Sequence, residues 1–437
     1  MRISVIGLGY LGAVHAAALA ASGHDVVGVD VDPEKVGALA LGKAPFYEPG
    51  FDELLVDAMR SGRLRVGTDV GAAAGCAVHF VCVGTPQAAG SSAADLRYVD
   101  AAVESLLPHL AVGDVVVGKS TVPVGTAGRL AGVVSAAVPG AVLAWNPEFL
   151  REGHAVDDTL HPDRIVYGVP DGEAGERASR LLDEVYAVPL ADGMPRIVTD
   201  YPTAELVKVA ANSFLATKIS FINAMAELCE VAGGDVTQLA DAIGHDVRIG
   251  RQFLNAGLGF GGGCLPKDIR AFTARAEELG AGEAVAFLGE VDRINGRRRE
   301  RMVELTAEML GGSVVGRRVA VLGAAFKPES DDVRDSPALE VATRLHEAGA
   351  DVVVTDPQAV PTARLRAPQL ACTEDVDEAL RGADVVLLLT EWRQFRDLDP
   401  VRVGELVAGR TVLDGRQALD RAAWEAAGWR YRALGRS

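Results

Sequence analysis

The residues with the most chemical promise lie in one short run, Gly259-Phe260-Gly261-Gly262-Gly263-Cys264-Leu265-Pro266-Lys267-Asp268. Glycines at positions 259, 261, 262 and 263 are expected to strip side chains from the approach to the Cys264 thiol. They would leave room for a substrate and for backbone N–H groups that bind phosphate. Lys267 would favour the thiolate, and Asp268 would act through water as a base on a hydroxyl proton. Most unbridged cysteines serve as small buried hydrophobes, but a core cysteine has little need of four glycines and a Lys-Asp pair. A thiol that traps an aldehyde holds it as a thiohemiacetal, which still has a hydride to give. Beside a hydride acceptor, the loop points to oxidation of an alcohol all the way to an acid.

The beginning of the chain supplies that acceptor. An apolar run over residues 3–6 leads into Gly7-Leu8-Gly9-Tyr10-Leu11-Gly12 and a helix expected from about Ala13. Gly7 permits the tight turn, Gly9 lets backbone approach a pyrophosphate, and Gly12 allows close packing of helix on strand. The helix N-terminus then faces the phosphates. Asp30 ends the next strand where an acid would bind a ribose diol and repel a 2′-phosphate, which favours NAD over NADP; Lys35 nearby would soften that preference. Further strand ends carry Gly84-Thr85-Pro86, Ser120-Thr121-Val122-Pro123 and Asn146-Pro147-Glu148-Phe149-Leu150-Arg151-Glu152. In a doubly wound sheet such ends converge on one crevice, although a lone Thr there is more often a cap or turn residue.

Lys208 and Asn212 are four residues apart in an apolar helical stretch and so share a face. A buried ammonium needs a partner or a task. Pairing with Glu205 or reaching out to water is the plain alternative. With the thiol downstream, Lys208 would stabilise alkoxide and hemithioacetal oxyanions, and Asn212 would add an uncharged donor. Near the other end, Gly323-Ala324-Ala325-Phe326-Lys327-Pro328 follows a strand but has lost most fingerprint glycines, so no second dinucleotide is expected there. Lys327 and Arg334 are placed to meet a phosphate or the cofactor, with a solvated charged loop over 329–335 as the rival.

The elements that must position these groups follow from hydrophobic rhythm. Apolar runs at 3–6, 26–29, 78–83, 115–117 and 142–144 have the spacing of βαβ units, and 319–322, 352–355, 385–389 and 411–413 repeat it. Between them, 202–231 reads as one helix apolar on most faces, hence buried as a domain spine or against a second subunit, and ended by Gly233-Gly234. A further helical run is expected over 283–310, with Gly311, Gly312 and Gly316 as a hinge. The fold class is α/β: two Rossmann-like doubly wound domains, 1–196 and 312–437, joined by a long central helix and a helical middle domain, 197–311.

Composition sets limits. The chain has 437 residues and a formal charge of -17, which argues against a nucleic-acid partner and leaves any anionic ligand to local basic groups and helix N-termini. No apolar stretch has transmembrane length, and Met1 runs at once into a strand, so a cytoplasmic protein without signal peptide is expected. Cys76, Cys82, Cys229, Cys264 and Cys372 are scattered without metal-ligand spacing, and no metal is expected.

Together these segments resemble the UDP-glucose/GDP-mannose dehydrogenase family. The likeness rests on the fingerprint, Lys119 to Thr126, Asn146 to Gly153, residues 162–166, 204–223 and 246–268, and Phe326 to Pro337, and runs from Met1 to about Trp392. The resemblance implies oxidation of a nucleotide sugar's C6 alcohol to a carboxylate with two NAD⁺ and water. It implies NAD contacts at Gly7, Gly9, Leu11, Gly12, Asp30, Lys35, Thr85, Thr121, Glu152, Lys267 and Arg334. It implies UDP-sugar contacts at Glu148, Phe149, Leu150, Arg151, Glu152, Lys208, Asn212, Phe253, Leu254, Asn255, Ala256, Gly257, Gly261 and Lys327. Cys264 is then the thiohemiacetal and thioester nucleophile, Lys208, Asn212, Asp268 and Thr121 its polar assistants, and Glu148 the base for thioester hydrolysis. Arg248 matches a residue that reaches the neighbouring subunit's substrate, which implies a homodimer through the central helices. Pro162-Asp163-Arg164-Ile165-Val166 favours the UDP-glucose branch, whereas Gly263 and Leu265 replace the Ser and Phe of many of its members, so GDP-mannose or another UDP-hexose stays open. Two other readings are a single-step β-hydroxyacid dehydrogenase, which would need no thiol, and a non-catalytic NAD sensor, which would need none of Lys208, Asn212, Cys264 and Asp268.

Overall fold

The computed structural model describes residues 1–436. The chain divides into two compact units, Met1–Ala211 with Ala274–Gly280, and Asn212–Thr273 with the chain from Ala281 on.

The first unit is built on eight strands: β1 (Arg2–Ile6), β2 (Asp25–Val29), β3 (Leu64–Gly67), β4 (Val78–Val81), β5 (Val115–Gly118), β6 (Val142–Trp145), β7 (Ile165–Gly168) and β8 (Arg196–Thr199). Their order is β3-β2-β1-β4-β5-β6-β7-β8, so the direction of winding reverses between β1 and β4. Strands β4 to β7 are buried at every position, because helices cover both faces and only near-continuous apolar runs survive there. All pairings are parallel except β6 with β7, which meet antiparallel at Trp145 and Gly168. The Trp145 indole lies over Gly118, where an added Cβ would come within 2.1 Å of it.

The fingerprint helix runs Tyr10–Ala21, three residues earlier than expected, with Gly9 as its cap. Gly12 therefore falls inside the first turn, and any Cβ there would sit 1.8 Å from the Gly7 carbonyl oxygen. That contact is what makes glycine necessary.

The second unit carries β9 (Arg318–Leu322), β10 (Asp351–Thr355), β11 (Ala371–Thr373), β12 (Val385–Leu388), β13 (Thr411–Asp414) and β14 (Arg430–Ala433). They form an all-parallel sheet in the order β11-β10-β9-β12-β13-β14, the same reversed winding. The turn after β9 is closed by protein. Asp356, at the place that Asp30 holds after β2, accepts from the N–H groups of Ala324 and Ala325 at 2.8 and 3.0 Å and from the Trp392 indole at 3.1 Å. Gly323 has φ +115° and packs on Thr390.

The long helix runs Tyr201–Ala232, and Gly233 leaves it with φ +76°. Ile222, Ala226 and Cys229 enter a core with Val236 and Leu254. The expectation of an all-round buried helix does not hold for this chain alone: Phe214 is 66% exposed, Leu228 60% and Val231 90%, with Phe221 beside them. The expected single run over 283–310 is also divided, into Gly282–Val285 and Phe287–Met309, at Ala286.

Candidate active site

In the first unit the fingerprint forms an open cradle. Gly7 has φ +90° and abuts Val83, whereas a Cβ on Gly9 would meet nothing within 4 Å. Asp30 is buried at the end of β2 and accepts from the Leu8 N–H at 2.7 Å; Lys35 pairs with it at 3.0 Å. Beside this carboxylate lies a mainly apolar cavity of about 550 Å³, bounded by Ile6, Val29, Val83, Tyr98 and Ala102. An exposed backbone edge, a carboxylate and an apolar slot in that order fit a pyrophosphate, a ribose diol and an adenine.

The next strand ends are tied together. Thr85 donates its hydroxyl to the Thr121 carbonyl at 2.8 Å, and Ser120 donates to Val83 at 2.7 Å. These hydroxyls hold backbone as well as line a crevice. Glu205 is not the partner of Lys208: its carboxylate accepts from Gly125 and Ala127 N–H at 2.7 and 2.6 Å, at the start of the helix Thr126–Ala137. Lys208 instead pairs with Glu148 at 2.8 Å, both side chains nearly buried. Burial alone would raise the Glu148 carboxyl; Lys208, the Leu150 N–H and Lys119 outweigh it and hold the group below the usual carboxylate range. Phe149 lies under the Arg164 guanidinium, 3.7 Å from its ring centre. Leu150 packs on the first unit's core, Arg151 pairs with Asp158 at 2.5 Å, and Glu152 is partly buried.

Motif reading missed the groups that hold this segment. Glu48 accepts from the Gly153 and Ala155 N–H groups, both at 2.6 Å, and from the Tyr10 hydroxyl. Lys119 is buried, donating to Asn146 at 3.0 Å and Tyr186 at 3.3 Å. A lysine directly after an apolar central strand was the available signal for it.

In the second unit Cys264 is exposed, immediately before the helix Leu265–Glu278, and its carbonyl accepts from the Asp268 N–H at 2.9 Å. Asp268 is 2% exposed and held from both sides, by Asn212 at 2.7 Å and by Lys267 at 2.5 Å. The Lys267 ammonium is thus committed to Asp268. The glycines do not leave the empty approach expected of them. An added Cβ would meet Asn295 at 2.0 Å from Gly259, the Asp335 carbonyl at 2.3 Å from Gly261, Phe326 at 2.8 Å from Gly262 and the Arg334 guanidinium at 2.3 Å from Gly263. Protein fills the space, because the loop is packed against the segment that follows β9. Arg334 is steered there by Asp332 at 2.7 Å, and Lys327 sits 5.4 Å from the Phe326 ring centre.

The residues 253–257 divide by side chain. Leu254 and Ala256 belong to the core, so only their backbone can meet a ligand. Asn255 accepts from Arg251 at 2.8 Å, and the Gly257 N–H is bound to Asn223 at 2.9 Å. Phe253 is partly exposed with φ +63°, a strained value for a bulky residue. Arg248 is exposed and paired with Asp246 at 2.6 Å. Among the described residues no cluster of His, Cys, Asp and Glu could hold a metal, and no helix is long and apolar enough to cross a membrane.

Fold and site together define a dinucleotide-dependent oxidoreductase that carries a thiol beside a fixed carboxylate. The family models described as UDP-glucose/GDP-mannose dehydrogenase family match throughout: the NAD binding domain over residues 1–188, the central domain over 202–297 and the UDP binding domain over 320–421. The chain belongs to the UDP-glucose/GDP-mannose dehydrogenase family, and its first segment is that family's NAD-binding domain. It is 41% identical to the UDP-glucose 6-dehydrogenase of Rhizobium meliloti (strain 1021), over 100% of both chains. It is 39% identical to UDP-glucose 6-dehydrogenase TuaD of Bacillus subtilis (strain 168), over 100% of this chain and 93% of that one. The solved UDP-glucose dehydrogenase of the hyperthermophilic archaeon Pyrobaculum islandicum superposes with a TM-score of 0.90 at 41% identity, covering 100% of this chain and 98% of that one. The likeness therefore continues past Trp392.

Proposed function

We propose that this protein oxidises UDP-glucose at C6 to UDP-glucuronate, with the sugar held covalently on Cys264 between two oxidations. The observation that carries the reading is the exposed Cys264 thiol beside Asp268, whose carboxylate Asn212 and Lys267 fix in place. A single hydride transfer would need no such thiol. Gly7, Gly9, Leu11, Gly12, Asp30, Lys35, Thr85, Thr121, Glu152, Lys267 and Arg334 would hold NAD⁺, which when bound accepts one hydride in each oxidation.

The chain's own residues do the rest. Asp268 takes the C6 hydroxyl proton through a water. Lys208 and Asn212, one helical turn apart, donate to the alkoxide and then to the hemithioacetal oxygen, where charge develops. The Cys264 thiolate adds to the aldehyde carbon and forms a C–S bond; after the second hydride leaves, a thioester remains. Glu148 takes a proton from the water that cleaves it. The middle segment 197–311 supplies the catalytic loop and a homodimer contact through exposed Phe214, Phe221 and Leu228, which recur every seven residues along the long helix. The segment 312–437 binds the UDP moiety, and the enzyme works in the cytoplasm.

The test is NADH formed per mole of limiting UDP-glucose with NAD⁺ in excess. Two per mole is expected. No NADH from UDP-glucose, with two per mole from GDP-mannose or another UDP-hexose, would keep the mechanism and replace the substrate.

A further inference from the structure

A small cavity in the first unit, about 50 Å³, is lined by Lys119, Asn146, Glu148, Thr159, Asp163 and Arg164. At about 10–15 Å³ for each water, it has room for a few, and its wall offers the polar partners that ordered water needs. Lys119 lies at the end of β5, only 7% exposed, with two neutral hydrogen-bond partners and no carboxylate within ion-pairing distance among the described residues. Asn146 is itself fixed, accepting from the Tyr186 hydroxyl at 2.5 Å and donating to the Val166 carbonyl at 2.9 Å. A buried ammonium without a contacting carboxylate is costly, so Glu148, the carboxylate of the same cavity whose charge acts on Lys119, must balance it. Glu148 already has Lys208 on one side.

We propose that Lys119 is a positioning residue for thioester hydrolysis: its ammonium shares a water-filled cavity with Glu148 and orders the water that Glu148 activates. The inference rests on the function proposed above. In the step served, the water oxygen attacks the thioester carbonyl carbon, a C–O bond forms and the C–S bond breaks. The sulfur leaves with its electron pair as the Cys264 thiolate. One water proton goes to Glu148 and the other stays on the acid until it ionises.

The groups facing Lys119 are His15 from the fingerprint helix, Cys82 after β4, Glu148 after β6, Tyr186, and Lys208 from the long helix. Burial pushes the Lys119 ammonium down to about 8, with Cys82 and Glu148 raising it and Lys208 lowering it. Its charge is therefore lost as pH rises past that value.

The experiment compares Lys119→Met with the unaltered protein. Expected is a rapid release of two NADH per Cys264, then steady turnover slower by on the order of 10-fold, a fraction of what a positioned base contributes. A UDP-glucuronyl thioester should build up on Cys264, visible by mass, and the fall in hydrolysis above pH about 8 should disappear; Lys119→Arg should restore part of the rate. An unchanged steady rate and pH profile would overturn the proposal, as would equal slowing of all steps with no acyl-enzyme. Should Lys119→Met not fold, a crystal structure of the unaltered protein decides: water bonded to Lys119 and Glu148 supports the proposal, and a dry cavity overturns it. Failure of the unaltered protein to form NADH from any nucleotide sugar would instead sink the functional reading.

Discussion

Asn212 donates to Asp268 across 2.7 Å, linking the long helix to the first turn of the helix that Cys264 precedes. With Lys267 on its other oxygen, Asp268 has no freedom to turn. Asp268→Asn would set amide against amide at Asn212 and leave Lys267 without its carboxylate. We expect kcat to fall by about 10²-fold or more. Steady-state kinetics, with a melting curve to establish folding, would measure it; a kcat within a factor of two of the unaltered protein's would remove Asp268 from the chemistry.

Cys264→Ala removes the thiol proposed to hold the sugar covalently. Acid formation should drop by at least about 10³-fold, with any NADH limited to the first oxidation. Chromatography of products reads this directly, and undiminished UDP-glucuronate would refute the thioester route.

Lys208→Met leaves Glu148 buried without its contacting cation, a loss of about 3–5 kcal/mol at neutral pH. The Glu148 carboxyl is held below its ordinary value of 4.5. Its stabilising contribution is thus complete above that value and is lost as pH falls through the lowered one. In the variant the Leu150 N–H and Lys119 alone oppose burial, so acidification should cost the variant less stability than it costs the unaltered protein. Thermal melts from pH 7 downward should therefore fall less steeply for the variant; parallel slopes would mean the pair contributes little.

The glycine loop offers two contrasting substitutions. Gly261→Ala places a methyl 2.3 Å from the Asp335 carbonyl, which is backbone, and should cost at least about 1–3 kcal/mol. The atoms nearest to the methyl of Gly263→Ala are those at the end of the flexible Arg334 side chain. Denaturant melts should therefore separate them, with Gly261→Ala the less stable.

Phe221→Asp puts a charge in the exposed apolar line of the long helix. Gel filtration with light scattering should report a monomer for the variant and, on the proposal above, a dimer for the unaltered protein. A monomer in both cases would dispose of the dimer.

The parts of this protein legible in the sequence are those whose partners are close in the chain. Gly7, Gly9 and Gly12 belong to one strand-turn-helix, and Cys264, Lys267 and Asp268 to one helical turn, so spacing alone brings them together. Central strands such as β4 and β5 were readable because burial on both faces demands unbroken apolar runs. Buried β7 stood outside the named apolar runs, as did the edge strands β3, β8, β11 and β14. Water reaches one side of the edge strands, and Leu64–Gly67 and Arg196–Thr199 carry charged residues that break the pattern.

What tertiary structure alone decided was the identity of distant partners. Sequence distance favoured Glu205 for Lys208, yet folding delivers Glu148, because Glu205 is needed at two backbone N–H groups. Lys119 reads as an ordinary charge after a strand until the packing of Asn146, Tyr186 and Glu148 encloses it. The four loop glycines announce missing side chains, but only the fold reveals that Asn295, Asp335, Phe326 and Arg334 occupy the space. Residue types and their spacing along the chain set which chemistry is available. Which groups balance one another's charge depends on burial and on contacts between segments far apart in the chain, and those exist only once the core has closed.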